Sequence, residues 1–276
     1  MLNVMLMSMP YTVLTMPSIG IAQIQAVVRK TLSGTASVDS AYAYLDFAEF
    51  MGGLEPYDAI GTYEHKGLLD WMFRQCAFGV PDNLEEYRTF YYSDGNFPRK
   101  RKIFDLVLEK RPGVEQFLDR LIEQYALLDY RVVGFTSMMS QNVASFALAR
   151  RLKQRNPELV TVIGGPNTEH PMGKTISDNV PQIDYVFSGE ALMNFPAFLR
   201  ALAAGDGARI ASLKGVHARP ALRGAAASAV RKLPLIAEPQ APGGFGTSEL
   251  EDNSGDAFPL EEMPMLDYSA YLARVA

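Results

Sequence analysis

Arg131-Val132-Val133-Gly134-Phe135-Thr136-Ser137, and further on Val160-Thr161-Val162-Ile163-Gly164-Gly165-Pro166-Asn167, bracket the stretch that decides the fold. Val132 to Thr136 is a short β-rich run that stops at a polar cluster. In that cluster Ser137, Ser140 and Asn142 are candidate helix caps. The run that follows carries Val143, Phe146, Ala147 and Leu152 near helical spacing. Arg150, Arg151, Lys153 and Arg155 come late in it, where cations suit the helix dipole. Asn156-Pro157 stops the helix, Leu159 to Ile163 reads as the next buried strand, and Gly164-Gly165-Pro166 as its exit turn. A strand, a helix and a second apolar strand predict a parallel pair with a right-handed crossover. Ligands of such sheets sit beyond the carboxyl ends of the strands. Here those ends are residues 136–142 and 164–168, both small and polar. Read by themselves, they fit helix caps and turns as well as a binding rim.

Outward from that unit the pattern repeats. Leu2 to Met7 predicts a central first strand, and Ser18 caps a helix with Ile21, Ile24 and Val28 on one face. Gly34 closes that helix, and Ala36 to Tyr44 predicts the second strand. Residues from about 45 to 129 are too many for a loop and predict a helical insertion. It has aromatic-rich patches at 68–73 and 84–92, then amphipathic helix from Ile103 to Leu128 broken near Arg111-Pro112-Gly113. After the opening stretch, Pro171 starts a further helix and Ile183 to Phe187 predicts a fifth strand. Leu192 to Leu202 predicts the last strong helix, closed by Gly205. The expected fold is α/β, a Rossmann-like or flavodoxin-like five-stranded parallel sheet with a helical insertion between strands 2 and 3. It fills residues 1–205. Residues 206–276 read as a linker containing a small hairpin, Ser212 to Arg219 with Val230 to Ile236, and a short helix from Met263 onward.

Bulk properties narrow the function. The chain has 276 residues, a formal charge of −5 and one cysteine. Its only basic run, Arg99-Lys100-Arg101-Lys102, reads as a solvated face, so no nucleic-acid partner is expected. No charged side chain occurs before Arg29, yet Pro10 and Pro17 interrupt that stretch. A membrane span or signal peptide is therefore not expected, and a cytoplasmic location is. Cys76 alone excludes an internal disulfide framework and any cysteine-held cluster within these residues.

Three segments together carry a family resemblance: Val133-Gly134-Phe135-Thr136-Ser137 with Gln141, Ile163-Gly164-Gly165-Pro166-Asn167, and Asp184-Tyr185-Val186-Phe187-Ser188-Gly189-Glu190. They resemble the cobalamin (vitamin B12)-binding domain of cobalamin-dependent radical S-adenosylmethionine enzymes. Residues 259–268 resemble the segment joining that domain to the radical core, and residues 67–79 are similar to a branch that matures ribosomally made peptides. The resemblance covers nearly the whole chain.

It implies a corrin ring lying across the carboxyl rim, flanked by Met9, Pro10, Tyr11 and Ser18 on one loop and by Thr136, Ser137, Met138, Met139, Gln141 and Asn142 on another. It further implies a nucleotide-tail groove lined by Gly164, Gly165, Pro166 and Asn167, joined by Ser188, Gly189 and Glu190. Glycine in the groove would let backbone approach a bulky ligand. No protein cobalt ligand is expected, because His65, His170 and His217 all lack the Asp-x-His-x-x-Gly context, and Ala191-Leu192 replaces a further Gly-Glu pair. S-adenosylmethionine and a 4Fe-4S cluster would belong to a downstream radical core, since the required cysteine triplet is absent here. The implied function is the cobalamin-binding part of a peptide C-methyltransferase, with that core and a peptide substrate as partners and no catalytic residue in these residues. The alternatives are a stand-alone cobalamin sensor or carrier, and a nucleotide- or flavin-binding domain. Against the last, Ser8-Met9-Pro10-Tyr11 follows the first strand where a glycine-rich fingerprint would stand.

Overall fold

The structure is a computed structural model that describes residues 1–62, 66–95, 97–223 and 258–275. The continuous apolar run at the start forms β1 (Leu2–Ser8), and Ser18 caps α1 (Ile19–Thr31) by accepting from the Ile21 amide at 3.4 Å. Next come β2 (Ala36–Tyr42) and an insertion of α2 (Ala43–Met51), α3 (Leu54–Thr62), α4 (Leu68–Phe78), α5 (Leu84–Tyr91), α6 (Pro98–Lys110) and α7 (Val114–Gln124). A single 3-10 turn at Arg111–Gly113 separates α6 from α7, where the proline-glycine pair predicts a break. The chain continues as β3 (Val132–Thr136), α8 (Asn142–Arg155), β4 (Val160–Gly164), α9 (Met172–Asn179), β5 (Tyr185–Phe187), α10 (Ala191–Ala203), α11 (Gly207–Ala211), β6 (Val216–Ala218) and α12 (Ser269–Val275).

The sheet order is β2-β1-β3-β4-β5-β6, parallel throughout except for β6. Alternate side chains enter two cores, as the two-residue period of a strand requires. Met5, Met7, Val133 and Phe135 face the insertion helices and α8, while Val4, Leu6, Val132 and Val162 face α1 and α10. At the centre, a Cβ on Gly134 would lie 2.8 Å from Leu6 Cδ2 and 3.0 Å from Val162 Cγ2, so the glycine makes room for its neighbours' side chains. The insertion is therefore no appendage. With α8 and α9 it builds the core on one face of the sheet, α4 lying along α8.

Two expectations need correction. Tyr42 ends the second strand, and Ala43 already begins α2, because the apolar residues there turn to helical spacing toward the insertion core. The sheet also has six strands rather than five. Val216–Ala218 pairs antiparallel with β5, setting His217 opposite Val186. The expected partner, Val230 to Ile236, lies outside the described residues. Polar bonds at both ends fix the actual pairing. Ser188 N donates to Gly215 O at 2.7 Å, Arg219 N donates to Asp184 O at 2.9 Å, and Arg219 Nε meets Asp184 Oδ1 at 2.8 Å. Asp184 is 3 % exposed and is also paired with Lys153, so a buried carboxylate has two cations.

Candidate functional site at the carboxyl rim

In this strand order the chain leaves β1 toward β2 on one side, and β3 continues the sheet on the other. The crevice between the β1 and β3 exits is thus the topological switch point. Thr136 ends β3 in register with Ser8 of β1 and Gly164 of β4. Three exit loops meet here and are stitched together by side chains. Gln141 is buried; its Nε2 donates to Met9 O at 2.6 Å and Ser8 Oγ at 3.2 Å, and its Oε1 accepts from Met138 N at 2.9 Å. Asn167 Nδ2 donates to Ser137 Oγ at 3.0 Å and to Met139 O at 2.7 Å, and Ser137 Oγ donates to Asn142 Oδ1 at 2.6 Å. Gln141 and Ser137 thus spend their hydrogen-bonding capacity on the frame.

Gly165 has the same purpose. Gly165 sits at φ +112°, and a Cβ on it would lie 2.6 Å from Ser137 O. Close approach of two loops, rather than of a ligand, is what requires glycine at this position. Gly164 is roomier, with Phe187 Cβ at 3.4 Å. At the β5 exit Ser188 is buried, and its hydroxyl donates to Thr168 O at 2.6 Å. His217 Nε2 lies 3.0 Å from Ser188 Oγ, and with that hydroxyl proton committed to Thr168 the imidazole is the donor. Burial, followed by the nearby Arg223, lowers the His217 pKa and favours this neutral form. Gly189 takes φ +75° in the turn, and Glu190 Oε2 accepts from Phe258 N at 3.1 Å. Pro166 is exposed.

The first loop divides in two. Met9 and Pro10 are buried and support the loop from beneath. Tyr11 stacks on Tyr57 with ring centroids 4.4 Å apart and lies against Gly61, so it is half-buried. Beyond it three tyrosine hydroxyls hold alternate residues. Tyr57 donates to Thr12 O at 2.5 Å and accepts from Thr12 N at 3.1 Å, Tyr271 donates to Leu14 O at 2.7 Å, and Tyr44 donates to Met16 O at 3.1 Å. Burial pushes the Tyr57 and Tyr44 pKa values well up, so both hydroxyls keep their protons.

Large apolar side chains remain facing solvent around the crevice. Val13 and Met16 stand on the β1 exit loop, and Met138 and Met139 on the β3 exit loop. Met172 and Met193 stand in the first turns of α9 and α10, on the same edge. Of the residues named from the resemblance, Met138 and Met139 belong to this apolar set; Val13 and Met16 lie within the Met9–Ser18 loop that it sets beside the ring. Met172 reads from the sequence as an apolar helix position with Ile176 and Val180 but is exposed, and Met193 was not singled out. The available signal was the recurrence of methionine in the loops and first helical turns after β1, β3, β4 and β5, at Met16, Met138, Met139, Met172 and Met193.

Among the described residues no group of three or more His, Cys, Asp or Glu is placed to hold a metal ion. His170 is exposed beside Pro171, and His65 lies outside the described residues. Cys76, on α4, has its pKa pushed up to about 11 by burial and is an unreactive thiol. Among the described residues no helix is long and apolar enough to cross a membrane. Compared with known proteins, the chain matches no protein-family model and no curated protein.

Proposed function

We propose that the chain is a Rossmann-like cobalamin-binding domain of the kind found in radical S-adenosylmethionine enzymes that modify ribosomally made peptides. The observation that carries the reading is the solvent-facing apolar set, Val13, Met16, Met138 and Met139, flanking the switch point of a doubly wound sheet. The order β2-β1-β3-β4-β5 is the flavodoxin-like one, and its ligands bind at that point.

The residues present fit a corrinoid. A broad macrocycle needs apolar contact over its face and a rigid floor. Val13, Met16, Met138 and Met139 supply the contact, and the loops stitched by Gln141 and Asn167 supply the floor. His217 is engaged by Ser188 and is not free to ligate a metal ion. When bound, cobalamin supplies one-carbon or electron chemistry at its cobalt. The chain's part would be to offer Val13, Met16, Met138 and Met139 as apolar contact for the ring, on loops held by Gln141 and Asn167. S-adenosylmethionine, its cluster and the peptide substrate would be handled by a radical core outside these residues.

The test is retention. The chain is mixed with hydroxocobalamin, desalted, and its visible spectrum recorded beside that of a Met138→Asp, Met139→Asp double variant. Corrinoid absorbance retained by the parent and lost from the variant supports the reading; no retention by the parent at micromolar ligand overturns it. Gly165 is a poor probe, since any side chain there strikes the Ser137 backbone and tests folding instead.

A further inference from the structure

Residues 258–275 do not lead away from the domain; they wrap it. Phe258 is buried against Val27 and Leu192, and its amide is the group that Glu190 accepts at the β5 exit. The segment then crosses α1, where Lys30 Nζ donates to Glu262 O at 2.9 Å and Arg29 pairs with Asp267 at 2.7 Å. It ends in α12 at the β2 edge of the sheet. There Arg274 meets Asp46 at 2.9 Å and donates to the Tyr125 hydroxyl at 2.6 Å. Tyr271 is 5 % exposed, and its ring sits edge-on to Tyr42 with centroids 5.4 Å apart. Its hydroxyl reaches Leu14 O, the middle of the three tyrosine bonds on the β1 exit loop. One segment therefore grips the rim at the exits of both β5 and β1.

We propose that Tyr271 is a positioning residue for the rim, so that docking of residues 258–275 and ligand binding at the switch point are coupled. The proposal rests on the cobalamin-binding reading of that rim. Val13 and Met16 flank the residue that Tyr271 holds. Without the middle bond this stretch gains freedom, and a ligand must pay to order it. Coupling is reciprocal: a ligand that needs the loop ordered tightens the docked segment by the same factor. Whatever pulls residues 258–275 from the domain therefore loosens the ligand.

The experiment uses the full chain and two readouts. Amide exchange is followed over residues 11–18 and 258–275, and hydroxocobalamin affinity by visible titration, in the parent, Tyr271→Phe and Asp267→Asn. Phenylalanine keeps the ring against Tyr42 and removes only the hydroxyl. Tyr271→Phe is expected to speed exchange over residues 12–17 and to weaken hydroxocobalamin about three- to tenfold, the loss of one hydrogen bond. Thermal stability should fall only slightly, since the same single bond is lost from the free protein. Asp267→Asn, on the strap but away from the rim, should shift both readouts in the same direction and by less. Unchanged loop exchange in Tyr271→Phe overturns the proposal, as does a fall in thermal stability with affinity kept, the sign of a purely structural role. If the parent binds no hydroxocobalamin, the reading of the rim fails, and faster loop exchange in Tyr271→Phe still supports the hold of the strap on the loop.

Discussion

Replacing Met139 by glycine should make the protein more stable and a weaker binder. Met139 sits at φ +53°, in the left-handed region, while its side chain is 77 % exposed. Two fixed points impose that backbone: Asn167 Nδ2 holds Met139 O at 2.7 Å, and Gln141 Oε1 holds Met138 N at 2.9 Å. An L-residue in the left-handed region costs roughly 1–2 kcal/mol. Glycine relieves that and costs roughly 0.5–1 kcal/mol in chain entropy. Little packing is lost from so exposed a side chain, so the net gain is about 0.5–1 kcal/mol. For a chain of this size that raises Tm by about 1–3 °C. Covering most of the methionine with a corrin face would contribute on the order of 1–2 kcal/mol, so its removal should weaken hydroxocobalamin roughly tenfold. Thermal unfolding and visible titration on the same preparations decide the matter. Tm and affinity moving in opposite directions is the signature of a residue kept for binding against its conformational preference. A lower Tm would refute the strain argument, and an unchanged affinity would remove Met139 from the site.

Two further outcomes follow from the packing. Gly165→Ala should cost about 2–4 kcal/mol, because its Cβ meets the Ser137 carbonyl at 2.6 Å with φ at +112°. A urea midpoint within experimental error of the parent's would show that the β3 and β4 exit loops are not in close contact. Asp119 joins α7 to α8 through two bonds to Arg151, at 2.8 and 2.5 Å, and is also paired with Arg155. The Arg151 hydrogen bonds hold its carboxyl below the usual carboxylate range. A depressed folded-state value means stability that is present above the unfolded pKa near 4 and lost as pH falls through the folded value. Asp119→Asn should therefore cost about 1 kcal/mol at pH 7, a small figure because the pair is partly solvated. The deficit should shrink as pH falls below 4. Parallel stability curves for the two proteins would rule the pairing out as a source of acid sensitivity.

Much of the fold was legible because its causes are local. The continuous apolar run of Leu2–Met7, the Ser18 cap, the break at Arg111–Gly113 and the stop at Asn156-Pro157 each depend on neighbours within one or two turns. Strand-helix alternation then left a parallel sheet as the arrangement that buries those strands. The location of the rim followed as well, since the carboxyl ends of parallel strands come together on one edge. Which strand β6 would join was not legible. A three-residue run pairs by register and end contacts, and those come from Asp184 and Gly215, groups that no local pattern marks as partners.

The sequence by itself determined the layer class, the loops that meet at the rim and the lack of a cysteine-held cluster. Only the tertiary structure decided which side chains there face outward. Ser137, Gln141 and Asn167 have the composition of ligand contacts, yet they bind one another, and the solvent-facing surface falls to Val13, Met16, Met138 and Met139. A small polar residue looks the same in either role until its partners are known. The Tyr271 clasp on Leu14 likewise joins residues far apart in the chain, and a single hydroxyl leaves no periodic trace of where it will bind.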